Sequence, residues 1–550
     1  MIKHGDPSSY TGLSRLLSKR SAFIGIVLSL FLFQMVSHSV LISKGTQFIV
    51  TQLTIDDTYY YLETAWNHKT AGFPTFDGFS RTNGFHFLWY LIVYLVALLV
   101  QSKYLLLRYA MGICAFCMAA PYLFFYLIGR KLRSIMLGLF LSIIWFAAHL
   151  APQDILIGLE NSLHLLVSTW ILYEVICLFV AIRDDERVHL FRLTAALVVN
   201  AYCRVDSGLL SAVIFALSLT VIIRHCGSIS AFRRKYGNIF LLSMSFAVLA
   251  GIVQFGAYLY WNDTLIPISG IIKVSNVFPP TGLTFVSEVI RIFTFSLPKL
   301  PLPLLIQIII CLAVLYFSLR RFRDGRRQCD DPAMSAFILL LVSNLVYMVY
   351  LCVSPGTVRP YWYYSPVNVF WIFSLCLLLT QINSRSMHPH LKRAVHAATA
   401  IIITLMVASG VQRYRAAIID IADHHSMFAV RYRTALWIRD SLPDGVILAA
   451  WNAGQLGFFS EHSVINLDGL INSRHYYESI LLGRESLYQY LRQHNVRYLV
   501  DYRDATVDQF TRRLSVFRSF LVTNSVSNSL YIWDLESIDP NSDIGYYPRH

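Results

Sequence analysis

The chain has 550 residues and a formal net charge of +14, yet only 14% of its residues are charged, 56% are hydrophobic and the mean hydropathy is +0.52. A soluble globular domain carries about 25% charged residues, so the composition excludes that class and points to a polytopic membrane protein. The positive charge does not mark a nucleic-acid binder, because the basic residues sit in short connectors between apolar runs and not on one polar face.

Apolar runs of roughly 17–25 residues are long enough to cross a bilayer. In chain order they fall near 21–43, 85–101, 106–128, 134–150, 160–181, 188–203, 207–223, 237–259, 302–319, 334–353, 366–381 and 394–410. The first exceeds the apolar core of a signal peptide, and Ser43-Lys44-Gly45 matches a cleavage site only loosely, so it reads as a retained helix. The connectors Arg130-Lys131-Leu132-Arg133, Arg233-Arg234-Lys235 and 320–327 belong on the cytoplasmic side, and Lys3, Arg15, Lys19 and Arg20 put the N-terminus there too. An inside N-terminus with an outside C-terminal domain needs an odd number of spans. Twelve runs are found, so one is missing or false, within 85–150 or 280–320. The fold expected is mainly α: a polytopic transmembrane bundle of about 11–13 spans over 1–410, carrying a C-terminal extracytoplasmic α/β domain over 411–550.

The first outside loop, 44–84, holds the densest polar signal. Asp56 and Asp57 open a segment in which Tyr59, Leu62, Ala65 and Trp66 share one helical face, and Gly72 follows its end. Adjacent carboxylates repel, and one is pushed toward its protonated form unless cations or donors compensate. An N-cap role explains one aspartate easily and two less well. Further along, Glu174 lies inside a span and should be hydrogen-bonded within the bundle. Cys114 and Cys117 sit in an apolar run without a histidine or a second pair, and read as packing residues.

After 410 the composition turns mixed. Strands are expected at 446–451, 463–467, 496–500 and 529–533, with helices at 426–440, 473–481 and 484–494. No cysteine follows Cys376, so this domain has no disulfide.

Asp56-Asp57-x-x-Tyr60-Tyr61, then 72–78 and Thr82-Asn83-Gly84-Phe85-His86, resemble the first loop of the GT-C membrane glycosyltransferases that use polyprenyl-phosphate sugars, including their arabinofuranosyltransferase branch. Gly158-Leu159-Glu160 resembles a Gly-Met-Glu motif with Leu for Met. Arg204-Val205-Asp206 resembles Arg-Pro-Asp with Val for Pro. Pro267-Ile268-Ser269 with Lys273 resembles a Pro-Asn-Ser/Thr…Lys loop, and 451–458 and 466–470 resemble the outside domain of that branch. The resemblance covers most of the chain and rests on the shared order of weak motifs. It implies transfer of a sugar from a polyprenyl-phosphate donor to an envelope glycan, glycolipid or protein acceptor, with inversion, outside the cell (inner) membrane.

The residue chemistry agrees with that reading. Asp56 is the expected general base, with Asp57 supporting it or holding a divalent cation such as Mg, Mn or Ca, and some GT-C relatives use a metal. His86, Glu160, Arg204, Asp206, Lys273 and Arg359 fall at outside span ends or loops and are the expected substrate-binding set. Each has a structural alternative: Arg204 and Asp206 as an ion pair, Glu160 as a helix-start acid, Lys273 and Arg359 as headgroup contacts, and His86 as a packed histidine. Two other function classes remain, a transporter or flippase of lipid-linked sugars, and a non-catalytic envelope-glycan assembly protein.

The topology is testable by cysteine labelling. A membrane-impermeant thiol reagent added to intact cells should reach cysteines placed at Ser80 and Ser473. Labelling of either only after lysis would overturn the arrangement.

Overall fold

The computed structural model describes residues 20–150, 156–275, 312, 331–353, 361–384, 389–419, 426–502, 510–511, 514–520 and 529–537. The run near 302–319, apart from residue 312, and Arg359 lie outside the described residues. The apolar runs form helices: α1 (Arg20–Ser43), α2 (Asp56–Ala71), α3 (Phe87–Leu99), α4 (Lys103–Ala119), α5 (Pro121–Lys131), α6 (Ile135–Ala148), α7 (Asn161–Arg183), α8 (Leu190–Cys203), α9 (Gly208–Cys226), α10 (Ile229–Asn262), α11 (Ile268–Ser275), α12 (Pro332–Val353), α13 (Ser365–Ser384) and α14 (Pro389–Ile419).

Among the described residues, seven helical segments are long and apolar enough to cross a membrane, and α3, α6 and α8 are shorter apolar helices. The protein is a multi-pass membrane protein. With 13 residues, α3 is about 20 Å long at 1.5 Å per residue, less than the ~30 Å hydrocarbon core. The run near 106–128 divides at Pro121, which opens α5 at a position where a missing N–H costs nothing. The helices α7 and α13 lie in the middle of the bundle, and α10 lies at its edge with Leu241, Leu242, Val248 and Ile252 exposed. Such an apolar face suits contact with lipid. Inside the bundle, Glu174 is buried and accepts from Arg192 Nη2 (2.8 Å) and Trp170 Nε1 (3.1 Å), as an intramembrane acid should.

The C-terminal domain follows the end of α14 at Ile419, which runs unbroken through residue 411. It contains α15 (Met427–Ser441), β1 (Ile447–Ala450), α16 (Gly454–Ser460), β2 (Val464–Asn466), α17 (Leu487–Gln493), β3 (Val496–Tyr502), β4 (Ser515–Phe520) and β5 (Leu530–Asp534). The sheet order is β2-β1-β3-β5-β4, with β1 parallel to both neighbours and β5 antiparallel to β3 and β4. Four strands match the sequence expectation. The edge strand β4 was not anticipated, because its residues are mostly exposed and lack a buried alternating face.

The domain docks on the first loop. The Asp56 carboxylate is met by Arg431 Nη1 of α15 (3.0 Å) and by the backbone N–H groups of Gly454 (3.0 Å) and Gln455 (2.9 Å) at the start of α16. Both charged side chains are buried. Close approach explains two glycines. A Cβ at Gly454 would run into the Asp56 carbonyl, and one at Gly84 into the Leu470 carbonyl.

Replacing Arg431 by Met should strand a buried carboxylate and destabilise the protein by about 3–5 kcal/mol. Adding Asp56→Asn to that variant should recover part of the loss, read as the midpoint of thermal unfolding. Equal midpoints for the single and double variants would show that the pair does not couple.

Candidate active site

Helix α2 begins at Asp56 itself, with Ile55 as its extended N-cap, so neither aspartate caps the helix through its side chain. The Thr58 hydroxyl accepts from the Ile55 N–H (3.3 Å) and donates to the Ile157 carbonyl, which ties the helix start to the segment before α7. There Gly158 has φ +77°, and a Cβ on it would strike Thr58. This pins Glu160 against α2. Gly72 ends the helix in the left-handed conformation, with its N–H donated to the His68 carbonyl.

Asp57, one helical step from the docked Asp56, faces a small cavity of about 40 Å³. Its walls come from α2 (Asp57, Tyr60, Tyr61), the loop end at 84–86, Leu159 and Glu160, Arg204, Ser269 and Lys273, Trp362 and Tyr363, and Leu470 and Ile471 of the C-terminal domain. Five of the residues singled out from sequence therefore share one cavity: Asp57, His86, Glu160, Arg204 and Lys273. Asp206 stands behind Arg204. Asp56 is turned to the C-terminal domain.

Arg204 is the hub of this wall. It is 1% exposed. Its Nη1 donates to Glu160 (2.6 Å), its Nε and Nη2 donate to Asp206 (3.1 and 3.3 Å), and its guanidinium stacks 3.8 Å from the centre of the Tyr363 ring. Glu160 also accepts from the Tyr61 hydroxyl (3.1 Å), and Asp206 from the Tyr347 hydroxyl (3.3 Å). Burial pushes the Glu160 carboxyl up, but neighbouring positive groups overrule it and hold it below the usual range. Burial drives His86 down to about 4, so it is neutral at pH 7 and the charge that keeps Glu160 ionised is that of Arg204.

Lys273 differs from Arg204. Among the described residues no carboxylate lies within ion-pair distance of it, and its Nζ meets the Tyr363 hydroxyl at 3.4 Å. Burial lowers its pKa, but the Tyr363 hydroxyl and Asp57 outweigh that and hold it above the ordinary lysine value. The Asp57 carboxylate makes no hydrogen bond or ion pair with a described residue. Burial raises its pKa against the pull of Lys273. Among the described residues, the cavity thus holds one carboxylate, Asp57, and one ammonium, Lys273, that make no ion pair.

Sequence reasoning did not single out Tyr61, Tyr363 or Asp468 as site residues. Tyr60 and Tyr61 stood within the Asp-Asp-x-x-Tyr-Tyr motif, and Tyr363 in the aromatic run 361–364. Asp468 accepts from the Tyr60 hydroxyl (3.0 Å) and from the Leu470 N–H (2.8 Å), and burial pushes it up to about 7. A divalent cation bridging Asp56 and Asp57 would have to displace Arg431 and two backbone donors from Asp56, so the adjacent pair does not fit as a joint metal site. Among the described residues no group of three His, Cys, Asp or Glu side chains is arranged to hold a metal ion.

Residues 420–535 match a family described as a domain of unknown function, DUF8728. No curated protein sequence matches the chain. Two solved structures share its architecture. ArnT from Cupriavidus metallidurans, bound to undecaprenyl phosphate, is 11% identical, with 95% of this chain and 99% of that one covered and a TM-score of 0.53. The oligosaccharyltransferase of Archaeoglobus fulgidus in its apo form is 12% identical, with 88% and 70% covered and a TM-score of 0.50. The chain shares the fold of these two proteins. In it, the first loop and the C-terminal domain together close the polar cavity over the helix ends.

A carboxylate whose folded pKa is raised binds protons more readily in the folded than in the unfolded chain, so its contribution to stability is lost as pH rises through the folded pKa. Asp57→Asn should therefore be more thermally stable than the parent at pH 7–8. The gap should close as pH falls toward about 4, the ordinary aspartate value. An Asp57→Asn variant less stable than the parent at neutral pH would contradict the environment described.

Proposed function

We propose that the protein is a membrane glycosyltransferase that moves a sugar from a polyprenyl-phosphate donor to an acceptor hydroxyl on the outer side of the membrane, close to the arabinofuranosyltransferase branch in its loop motifs. The observation that carries this reading is the pairing, in one cavity at the helix ends, of a carboxylate, Asp57, with an ammonium, Lys273, neither of them held in an ion pair with a described residue. A transfer between two oxygen atoms needs a base for the incoming hydroxyl and a cation for the outgoing phosphate.

In this reading Asp57 takes the proton of the acceptor hydroxyl as its oxygen attacks the anomeric carbon. The bond from that carbon to the phosphate oxygen breaks, and the lipid phosphate leaves as an anion beside Lys273. One displacement inverts the anomeric centre. A pKa raised by burial makes Asp57 a stronger base than a solvated aspartate. Arg204, neutralised by Glu160 and Asp206, shapes the wall and keeps Glu160 and Tyr61 in place, and it supplies little net charge to a phosphate. Asp56 is a positioning residue that fixes the start of α2. The roles of the two aspartates are thus the reverse of those expected from sequence.

The test is transfer of radiolabelled sugar from synthetic polyprenyl-phosphate donors by the purified full-length protein. Asp57→Asn should lower the rate by about 10²–10⁴, the usual worth of a general base. Lys273→Ala should weaken inhibition by free polyprenyl phosphate without changing which sugar is accepted. Full transfer by a folded Asp57→Asn protein would refute the mechanism. Donor lipid crossing the bilayer without transfer would indicate a flippase.

A further inference from the structure

A second, larger cavity of about 460 Å³ opens along another face of α2, between the first loop, the start of α4 and the C-terminal domain. It begins roughly two turns along α2 from Asp57, where Glu63, Trp66 and Asn67 face away from the donor cavity. The two spaces share a wall: the Tyr60 ring lines the first and packs edge-on against Phe76, 5.5 Å between centroids, which lines the second. Across the cleft stand Lys103 and Tyr104 from α4 and Phe458 from α16.

The chemistry of the lining is mixed in a specific way. Trp66 and Tyr104 are half-buried and supply flat apolar faces, Phe76 and Phe458 are buried beneath them, and Lys69 Nζ lies 4.9 Å from the centre of the Trp66 ring, which leaves the other face of that ring for a ligand. Glu63 is buried and held by Lys103, whose Nζ lies 2.6 Å from Oε2 and also sits 5.5 Å from the centre of the Phe458 ring. The same ammonium donates to Glu63 Oε1 (2.8 Å). Glu461 and Gly78 are exposed at the rim, with Ser463 beside them. Carboxylates outnumber cations here, in contrast to the +14 of the whole chain. Such a surface repels phosphate and uronate groups. Flat aromatic faces flanked by carboxylate, amide and hydroxyl groups suit a ring with one apolar face and many hydroxyls at its edge. A peptide is less well served, because the nearby edge strand β2 has only three residues, all buried, and offers little to template an added strand.

We propose that this cleft binds the acceptor as a neutral or amino-bearing glycan, stacked on Trp66, with its terminal hydroxyl directed past Tyr60 toward Asp57. The acceptor role rests on the transferase reading above. Glycan binding by the cleft does not.

The experiment uses the full-length protein in detergent, without donor. Saturation-transfer NMR is recorded with neutral trisaccharides of glucose, mannose and galactose, with chitotriose, with trigalacturonate as the acidic probe, and with a polar hexapeptide. At least one neutral or amino-sugar probe should bind, with trigalacturonate weaker. Trp66→Ala should weaken that binding about tenfold, Trp66→Phe should restore most of it, and Lys273→Ala, in the other cavity, should leave it unchanged. No binding by any glycan, binding unaffected by Trp66→Ala in a protein of normal thermal stability, a preference for trigalacturonate, or binding of the hexapeptide alone would each overturn the proposal. If the glycan results hold but no polyprenyl-phosphate sugar is ever transferred, the transferase reading fails and the cleft stands as a carbohydrate site. If transfer occurs and Trp66→Ala changes neither binding nor the acceptor KM, the cleft is wrong and the transferase reading stands.

Discussion

The architecture depends on one buried charge pair. Asp56 and Arg431 are removed from water together, and the desolvation cost of that is several kcal/mol per ion. It is offset only because two backbone N–H groups at the start of α16 complete the carboxylate's hydrogen bonds. The clamp joins the first loop to the C-terminal domain at the first residue of α2. Successive residues on a helix are turned by about 100°, so anchoring Asp56 on one partner turns Asp57 away from it and into the cavity. Docking and chemistry are separated by a single step along the chain.

The second organising element is Arg204. An arginine this deeply buried is tolerated because two carboxylates and an aromatic face surround it. Its charge is spent within the wall, and its planar fork sets the positions of Glu160, Asp206 and Tyr363 at once. Among the described residues that leaves Lys273, a compact ammonium on a flexible stem, as the cation available to something entering the cavity. The C-terminal domain completes the enclosure through 470–471, and Gly84 permits the backbone contact by which it does so.

Much of this was legible in the sequence, because the signals involved are local. The start of α2 at the paired aspartates follows from its acidic first turn and the periodicity behind it, and its stop from the glycine cap at Gly72. Four of five strands follow from apolar runs bounded by turns. The motifs around Glu160, Arg204 and Lys273 announced polar residues at helix ends, and the structure gathers them. The edge strand β4 escaped because an exposed strand has no buried alternation to betray it. The short helix α16 escaped because Gly454-Gln455-Leu456-Gly457 carries two glycines, poor helix formers. They are there because a close neighbour excludes a Cβ: the Asp56 carbonyl at Gly454 and the Phe76 ring at Gly457.

By itself the sequence determined the class of protein, a membrane-embedded helical bundle with an appended α/β domain, since hydrophobic run length and periodicity are properties of neighbouring residues. It also determined which side chains capable of acid–base and phosphate chemistry lie near helix ends. Only the tertiary structure decided which of them are spent on each other. Asp56 and Asp57 are indistinguishable by adjacency, and what separates them arrives from donors 398 and 399 positions away. Arg204 and Lys273 look alike as cations until one is found enclosed by carboxylates and the other is not. The physical reason is the same in both cases: the state of a buried charge is set by its partners, and those partners are chosen by packing across the fold.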